Sequence, residues 1–460
     1  MRKLSIAAFI AATSFTLTAG YVNAKPEQPQ AKTAAGIFAN QVGFISQGPK
    51  AAVVPNVKAT QFTLSDKKGT VVYTGALSAA KDWRSAGETV KLADFSDFTT
   101  SGDFLLTVEG VKTPFEVSID KNIYQEALKA SIKNYYFNRN SAALEPEHAG
   151  IYHRPASHPD TIVYVDQSAA TEERPAGTVI SSPKGWFDAG DYGKYTVNSA
   201  ITVHTLLRAL ENKPELFAGL ELNIPESGNK IPDLLDEVLW NLDWMVTMQD
   251  TDGGLYHKLT AKRFEGTQMP HLEYKPRFVV QKSTAAALDY AATLALASRV
   301  IAQYEDHFPG RAAQYKASAL KAWDWAVKNP NVLFEQPEGF NTGMYRLDGD
   351  DYKDEWAWAR AELFTLTGKK RFLKGYEVAE TARAPEWSDV EMLGMIALAN
   401  NNKTPKKLKQ EVLAGLKKSA DTWVKETQAS GYGVPMFDRD FRWGSNGFAS
   451  NKAMALLDIN

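Results

Sequence analysis

The hydrophobic pattern of this chain changes its period once, near residue 120, and this change divides the sequence into two regions. Over 37–120, short runs rich in β-branched and aromatic residues are separated by turn signals such as 66–69. This pattern is typical of a small antiparallel β-sandwich. The predicted strands are 51–54, 62–64, 70–73, 103–108 and 114–119.

In the second region the apolar residues recur every three or four positions, which is the spacing of one helix face. Within 231–249, for example, Leu235, Val238 and Leu242 follow this spacing. Nine such segments, and no series of parallel strands, indicate a large all-α domain over 121–460. The predicted helices are 123–143, 196–211, 231–249, 283–304, 311–328, 353–367, 388–400, 405–427 and 446–458.

The first residues have the pattern of an export signal. Two basic residues precede a mostly apolar run over 4–17, and Val22 and Ala24 place small residues at the −3 and −1 positions of a cleavage site. The run is too short and too polar for a membrane anchor, which needs about 20 apolar residues. We therefore expect a signal peptide over 1–24, followed by a polar, proline-bearing linker over 25–36.

Composition limits the partners and the compartment. The net charge is −2 and the basic residues are scattered, so we expect no nucleic-acid partner. No membrane partner is expected once the signal is cleaved. The chain has no cysteine, which excludes disulfides, thiolate metal sites and a lipid-anchored cysteine. We expect a periplasmic or secreted protein.

The stretch GWFDAGDYGKY, residues 185–195, contains the strongest chemical signal. Asp188 and Asp191 lie three residues apart among glycines and aromatic rings, just before a helix predicted to begin near Thr196. On a tight loop, one carboxylate can deprotonate a water molecule while the other orients it, which suits hydrolysis. The alternative is a pair of Asx-turns that cap the helix.

The longer stretch SSPKGWFDAGDYGKYTVNSA, residues 181–200, resembles the signature of glycoside hydrolase family 9, the inverting β-1,4-glucanases. NQVGF and PKAAVV, within 40–54, look like the start of the immunoglobulin-like domain that precedes many of these catalytic domains. Further segments resemble successive family helices. The resemblance implies an immunoglobulin-like sandwich over 37–120 followed by an (α/α)6 barrel. The further segments are 227–249, 354–368, 386–399 and 443–457.

The resemblance also implies catalytic roles. Asp191 matches the general base, and Asp188 matches the second carboxylate that holds the water. The family takes its general acid from a glutamate near its C-terminus, usually in an Asn-Glu pair, but this sequence has no such pair and no glutamate after Glu426. From the sequence we therefore expect a barrel that is incomplete at its C-terminus, and a polypeptide that alone lacks the acid.

Two further site assignments rest on the resemblance. Trp443 and Phe448 match aromatic platforms under sugar rings, with core packing as the alternative. Asp354 and Glu355 match a structural calcium site. The neighbouring Asp350 or Asp351 can add oxygen ligands to this site. The alternative is that these acidic residues only stabilise the N-terminus of a helix. No cofactor is expected to be required beyond this calcium ion.

The segment 145–158 contains three histidines, where some family members bind zinc through cysteine and histidine. Because this chain has no cysteine, we expect His148, His153 and His158 to be solvated or to line the substrate site instead. The pieces 152–155 and 158–161 are similar to a marine bacterial branch associated with chitosan or chitin oligosaccharides.

Two classes of function therefore remain. The first is an exported hydrolase of β-1,4-linked glucans or cello-oligosaccharides, with a glucosaminidase acting on chitosan or chitin oligosaccharides as its variant. The second is a glycan-binding, inactive relative that keeps the cleft but lacks the acid. In each case the expected partner is a polysaccharide or oligosaccharide.

Overall fold

The computed structural model describes residues 32–33, 36–264, 266–345, 352–442 and 444–459. The predicted signal peptide over 1–24 and most of the predicted linker lie outside these residues. Two structural regions follow one another along the chain, a β-sandwich and a helical domain.

The sandwich consists of two four-stranded sheets. One has the order β1-β6-β2, with β5 on the outer edge of β6, and the other has the order β4-β3-β7-β8. Phe62, Leu64 and Leu106 alternate with exposed or half-buried neighbours and face the core between the sheets. The strands are β1 (Lys32–Thr33), β2 (Ala51–Pro55), β3 (Gln61–Ser65), β4 (Val71–Ala76), β5 (Lys81–Trp83), β6 (Glu88–Asp94), β7 (Gly102–Val108) and β8 (Phe115–Ile119).

The helical domain contains nine helices of ten residues or more among the described residues, each close to a predicted segment. Some successive helices pack together, as α6 does with α7 and α8 with α9, and helices further apart in the sequence do so as well, as α6 does with α3 and α8. The helices are α1 (Gln125–Phe137), α2 (Pro146–Ala149), α3 (Thr196–Asn212), α4 (Pro214–Phe217), α5 (Asp233–Met245), α6 (Thr284–Ile301), α7 (Arg311–Lys328), α8 (Lys353–Thr367), α9 (Glu391–Asn400), α10 (Lys406–Ala429) and α11 (Ser445–Ile459).

Helix α6 is the centre of this domain. Its alanine-rich sequence lets α3, α7 and α8 pack closely around it, and nearly every residue of α6 is buried. The side chain of Ser283 caps its first turn by accepting a hydrogen bond from the backbone N–H of Ala286. Within the described residues, Thr284–Tyr304 is the one helical segment long and apolar enough to cross a bilayer, and 89% of its apolar window is buried inside the protein. The burial of this helix in the protein core therefore explains its apolar sequence.

A small sheet within the helical domain was not predicted. It has the order β10-β9-β13-β12-β11, and its strands are only two or three residues long, too short to show a period of two in the sequence. This sheet supports the stretch that contains the two aspartates, because β11 is the end of that stretch. The strands are β9 (Val163–Val165), β10 (Val179–Ile180), β11 (Lys194–Tyr195), β12 (Lys258–Thr260) and β13 (Arg277–Val279).

The sandwich contacts the helical domain next to the end of α10. The Trp83 ring lies 5.9 Å from the Tyr432 ring, and Lys81 donates a hydrogen bond of 2.7 Å to the carbonyl oxygen of Gln428. Val90 and Tyr432 form a small apolar cluster of their own at this contact. The two domains are thus joined by packed side chains as well as by the chain itself.

A buried ion pair stabilises the start of the aspartate stretch. Arg139 is 1% exposed and contacts both Glu237, which is fully buried, and Glu226. Glu237 also accepts a hydrogen bond of 2.7 Å from the Trp186 indole. Burial raises the pKa of Glu237 although Arg139 opposes the rise, so the carboxylate depends on its partner to remain charged.

Replacing Arg139 with leucine is expected to destabilise the protein strongly, because Glu237 would remain buried without its cation. Loss of one member of a buried pair costs about 3–5 kcal/mol of unfolding free energy. Urea unfolding at pH 7 measures this cost, and Glu226→Gln, at the more exposed partner, serves as the control with a smaller loss. A loss below about 1 kcal/mol for Arg139→Leu, the size typical of surface pairs, would contradict this role.

Candidate active site

Residues 185–195, here called the aspartate loop, lead directly into α3. Gly185 has φ +85°, and a β-carbon at this position would lie 2.8 Å from the Trp244 ring, so glycine is required both by conformation and by space. A β-carbon at Gly193 would likewise lie 2.8 Å from the Tyr195 ring. The first close approach lets the loop lie against α5, which carries Trp244, and the second lets the loop turn tightly at its own end.

A buried lysine fixes the two ends of the loop. Lys194 is fully buried, and its Nζ lies 2.8 Å from Asp160 Oδ2 while donating to the carbonyl oxygens of Ser182 and Lys184 at 2.9 and 2.7 Å. Burial lowers the pKa of Lys194 to about 8. Burial alone would raise the pKa of Asp160, but Arg277 and Lys194 bring it to about 2. The pair is therefore ionised at neutral pH.

Asp191 lies beneath the surface of the loop. It is 3% exposed, and its Oδ1 accepts a hydrogen bond of 2.9 Å from the Gly193 N–H. Its Oδ2 accepts from the Tyr195 hydroxyl and, at 3.2 Å, from the Gly343 N–H. Burial and the charge of Asp191 raise the pKa of Tyr195, so this tyrosine remains a donor. Asp191 is thus held by three donors.

Asp188 lies closer to the solvent and lines a cleft of about 650 Å³. Its two oxygens accept hydrogen bonds from Asn198 at 2.7 Å and from the Tyr345 hydroxyl at 2.5 Å. The loss of hydration in the cleft wall raises the pKa of Asp188, and the charge of Asp191 adds to this rise while the two hydrogen bonds oppose it. The structure therefore brings the two predicted carboxylates together at different depths.

A second segment, residues 341–345, supplies donors to both aspartates and is itself held by β12. Lys258 donates to the carbonyl oxygen of Gly343 at 2.6 Å and to Gln336 Oε1 at 2.8 Å. Burial lowers the pKa of Lys258 to about 7, and the charge of Asp191 opposes this. His257 fixes the next residue through a 2.9 Å contact between its Nε2 and the Met344 carbonyl oxygen.

These supporting residues were not predicted from the sequence. Tyr345 is 157 residues away from Asp188 in the chain, and no local motif connects the two. The sequence pattern of the loop gave no indication of a role for Tyr195. A buried lysine such as Lys258 could be suspected only once the three-residue strand that carries it had been found.

Aromatic side chains line the cleft around Asp188. Tyr135, Tyr345, Trp387 and Phe448 face it, and the Trp387 and Tyr345 rings pack edge to face with centroids 5.2 Å apart. Phe448 lies in the cleft wall, where its role as a sugar platform stays a prediction. Trp443 lies outside the described residues.

The described residues lining this cleft include two acidic side chains, Asp188 and Glu386. Glu386 is 12% exposed and accepts hydrogen bonds of 2.8 and 2.7 Å from Arg442. Both carboxylate oxygens of Glu386 are thus engaged by the Arg442 guanidinium. Among the described residues of the cleft, none is therefore placed as a general acid opposite Asp188.

Asp354 and Glu355 begin α8 and belong to a group of buried carboxylates with Asp289. Glu355 Oε2 and Asp289 Oδ1 are buried and have no hydrogen-bond partner, and each residue is at most 2% exposed. Burial and the Asp354 charge raise the pKa of both residues well above the ordinary range. Among the described residues, no three acidic or histidine side chains converge closely enough to enclose a metal ion. The neighbouring Asp350 and Asp351 lie outside them.

The three histidines are not grouped. His158 is buried, and its Nε2 lies 2.7 Å from Glu273 Oε2, so the expectation of a solvated or substrate-lining residue is wrong for this position. His148 lies 3.2 Å from the Asn223 amide oxygen, while His153 is exposed and lines a pocket next to α1. Burial and the Glu273 contact explain the position of His158 without a metal.

Comparison with known proteins agrees with this arrangement. A model of glycosyl hydrolase family 9 matches residues 124–460, and a model of the cellulase N-terminal immunoglobulin-like domain matches residues 32–113. A xyloglucan-specific endo-β-1,4-glucanase of Bacteroides ovatus is 37% identical over 425 residues, which are 88% of this chain and 71% of that protein. Endoglucanase D of Acetivibrio thermocellus is 32% identical over 431 residues, 92% of this chain and 67% of the relative.

Solved structures show the same fold. A family 9 protein of Bacteroides ovatus superposes with a TM-score of 0.86 at 35% identity, over 92% of this chain and 80% of that one. The predicted fold class, an immunoglobulin-like sandwich followed by a helical domain of the (α/α)6-barrel type, is thereby confirmed. The chain belongs to glycosyl hydrolase family 9 and is a glycoside hydrolase of the cellulase type.

Proposed function

We propose that this protein hydrolyses β-1,4-glycosidic bonds of glucans or cello-oligosaccharides with inversion at the anomeric carbon. The observation that carries the proposal is the pair Asp188 and Asp191 on a pinned loop at the wall of an aromatic cleft. Aromatic rings suit the apolar faces of sugars. The relatives named as endo-β-1,4-glucanase and endoglucanase support the same substrate class.

In the proposed mechanism Asp191 is the general base and Asp188 holds the nucleophilic water. The exposed position of Asp188 gives that residue direct access to a water molecule in the cleft. The donors from Gly193, Gly343 and Tyr195 fix the orientation of the Asp191 carboxylate. An inverting acid stands about 6.5–9.5 Å from the base, and no described residue is assigned this role.

An inactive glycan-binding relative is the second candidate. One observation favours it. Glu386 accepts hydrogen bonds from Arg442, so none of the described residues of the cleft is available to protonate a leaving group. A glycosyl fluoride separates the two candidates, because fluoride leaves without protonation and its hydrolysis depends on water activation alone. A glucosaminidase is distinguished by comparing the rate of sugar release from cello-oligosaccharides with the rate from glucosamine oligomers.

We also propose a structural calcium ion at Asp354 and Glu355, with Asp289 close to it. The buried, unpartnered oxygens of Glu355 and Asp289 fit a hard cation, which would replace the protons that burial favours on these carboxyl groups. Such an ion would stabilise the start of α8 and takes no part in bond cleavage. The enzyme is proposed to need no other cofactor.

Export to the periplasm or the medium, through a signal over 1–24, is part of the proposal. A polymeric glucan cannot enter the cytoplasm, so an enzyme that cleaves it must be exported to reach it. The scattered charges of the chain, with a net value of −2, support neither a nucleic-acid partner nor a charged membrane partner.

Asp191→Asn is expected to lower the hydrolysis of β-cellobiosyl fluoride by about 10²–10⁴-fold, because an amide cannot accept the proton from water. Asp421→Asn, at an exposed pair with Lys417, is the matched control.

In the unmutated protein, proton NMR should show α-cellobiose as the first product. Initial β-cellobiose would contradict inversion, and a greater loss for Asp188→Asn than for Asp191→Asn would exchange the two roles.

Lys258→Met is expected to lower kcat for the same fluoride about 10- to 100-fold with little change in KM. The change removes the donor that holds the Gly343 carbonyl, and the Gly343 N–H then orients Asp191 less well. Lys262→Met, at an exposed lysine four residues later, is the control. Equal kcat values for Lys258→Met and the unmutated protein would show that this support is not needed.

Calcium is expected to raise the thermal unfolding temperature, and EDTA to lower it. Calcium at about 100 times its Kd adds about 2.7 kcal/mol of unfolding free energy. Asp354→Asn should abolish the response, whereas Asp324→Asn, at an exposed position on α7, should keep it. Identical melting curves in calcium and in EDTA would refute the site.

A further inference from the structure

His257 lies directly before β12 and contacts two segments of the site at once. Its carbonyl oxygen accepts a hydrogen bond of 3.0 Å from the N–H of Thr196, which follows the aspartate loop. Its imidazole Nε2 lies 2.9 Å from the carbonyl oxygen of Met344, in the segment 341–345 that supplies donors to both aspartates. His257 is 1% exposed and is not among the described residues that line the cleft. Any effect of this side chain on the chemistry therefore acts through other residues.

The partners of the imidazole fix its tautomer. A carbonyl oxygen only accepts hydrogen bonds, so Nε2 carries the proton and donates it to Met344. Nδ1 is then the acceptor, and it lies 2.9 Å from the hydroxyl oxygen of Ser283, which caps α6. The Phe334 ring stacks on the imidazole at a centroid distance of 3.9 Å, which restricts rotation of the ring. Burial lowers the pKa of His257 to about 3, and the charge of Lys258 adds to this, so the imidazole is neutral at neutral pH.

The Met344 carbonyl controls the conformation of the residue that follows it. Tyr345 has φ +45°, in the left-handed region, and a tyrosine keeps this conformation only where neighbouring contacts hold it. The angle φ describes rotation about the N–Cα bond of Tyr345, and the rigid peptide plane before that bond contains the Met344 carbonyl. A hydrogen bond that holds this oxygen therefore also holds φ. Without it the plane can relax towards negative φ, and the Tyr345 ring moves with the backbone.

The Tyr345 side chain connects this backbone geometry to the chemistry. Its hydroxyl donates a hydrogen bond of 2.5 Å to Asp188, and Asn198 donates to the other oxygen of that carboxylate. Burial and the charge of Asp191 raise the pKa of Asp188, whereas the bond from Tyr345 lowers it. A displaced hydroxyl therefore changes both the orientation of Asp188 and the pH at which it ionises.

We propose that His257 is a positioning residue for the hydrolysis, because it holds the backbone that places the Tyr345 hydroxyl on Asp188. The proposal rests on the hydrolase function proposed above and adds to it a residue that lies outside the cleft. Lys258, the next residue along the chain, supports the donor to Asp191 in the same way. Two consecutive side chains thus hold two consecutive peptide groups, one for each aspartate.

The test compares two amides at position 257. Glutamine brings its amide nitrogen close to the position of Nε2 and can still donate to the Met344 carbonyl, whereas asparagine is shorter and reaches only the position of Nδ1. His257→Asn is expected to lower kcat for β-cellobiosyl fluoride about tenfold with little change in KM, because Asp188 is then less well oriented. The acidic limb of the kcat/KM profile should move to higher pH, since the pKa of Asp188 rises when the Tyr345 bond is lost. His257→Gln should restore both quantities.

Tyr345→Phe examines the same contact from its other end. This variant lacks the hydroxyl, so it should show the same shift of the acidic limb, and adding His257→Asn to it should change little more. If His257→Asn does not fold, Ser283→Ala takes its place, because it leaves the imidazole present but removes the partner of Nδ1. A smaller shift in the same direction is expected. Ser298→Ala, at another buried serine of α6, is the matched control without a shift.

An unchanged kcat and acidic limb in His257→Asn, or in Ser283→Ala where that variant takes its place, would overturn the positioning role and leave the hydrolase function intact. Equal losses in His257→Asn and His257→Gln would also overturn it, since the bond to Met344 would then not be the cause. An unmutated protein that does not cleave the fluoride would refute the proposed function. The positioning of Asp188 is then decided by NMR titration of its ¹³C-labelled carboxyl carbon. A pKa raised in His257→Asn but not in His257→Gln would support it, and equal pKa values would overturn it.

Discussion

The ion pair between Lys194 and Asp160 fixes the frame on which the candidate active site depends. A buried ammonium is tolerated only with a charged partner and further acceptors, and Lys194 has both. Its acceptors Ser182 and Lys184 lie just before the aspartate loop, and Lys194 itself lies near the end of the loop. One side chain therefore joins the two ends of the loop, and Asp188 and Asp191 lie between them.

This closure explains how two carboxylates can be presented at different depths. Asp191 turns inwards to donors from Gly193 and Gly343, and Asp188 turns outwards to the cleft. The negative charge of the deeper residue adds to the burial that raises the pKa of the outer one. The deeper group is thus fixed by hydrogen bonds, whereas the outer group has direct access to the cleft.

The long helices and the paired aspartates were predictable, because both leave a local pattern in the sequence. Helix α6, for instance, repeats apolar residues over 18 positions, and the aspartate loop is a contiguous motif. The small sheet was not predictable, since strands of two or three residues carry no period. Tyr345 and Lys258 were missed for a related reason. Their role depends on contacts between segments more than 80 residues apart, which single-sequence patterns do not encode.

The carboxylate group at α8 and the cleft are physically continuous. Asp354 accepts a hydrogen bond of 2.9 Å from the Val390 N–H, three residues after Trp387, and the Trp387 ring packs against Tyr345. Tyr345 in turn donates to Asp188. The wall of the cleft around Asp188 is therefore connected to the start of α8 by a short series of contacts. A cation bound at Asp354 and Glu355, as proposed above, would stabilise the wall that holds Trp387, and with it the hydrogen bond between Tyr345 and Asp188.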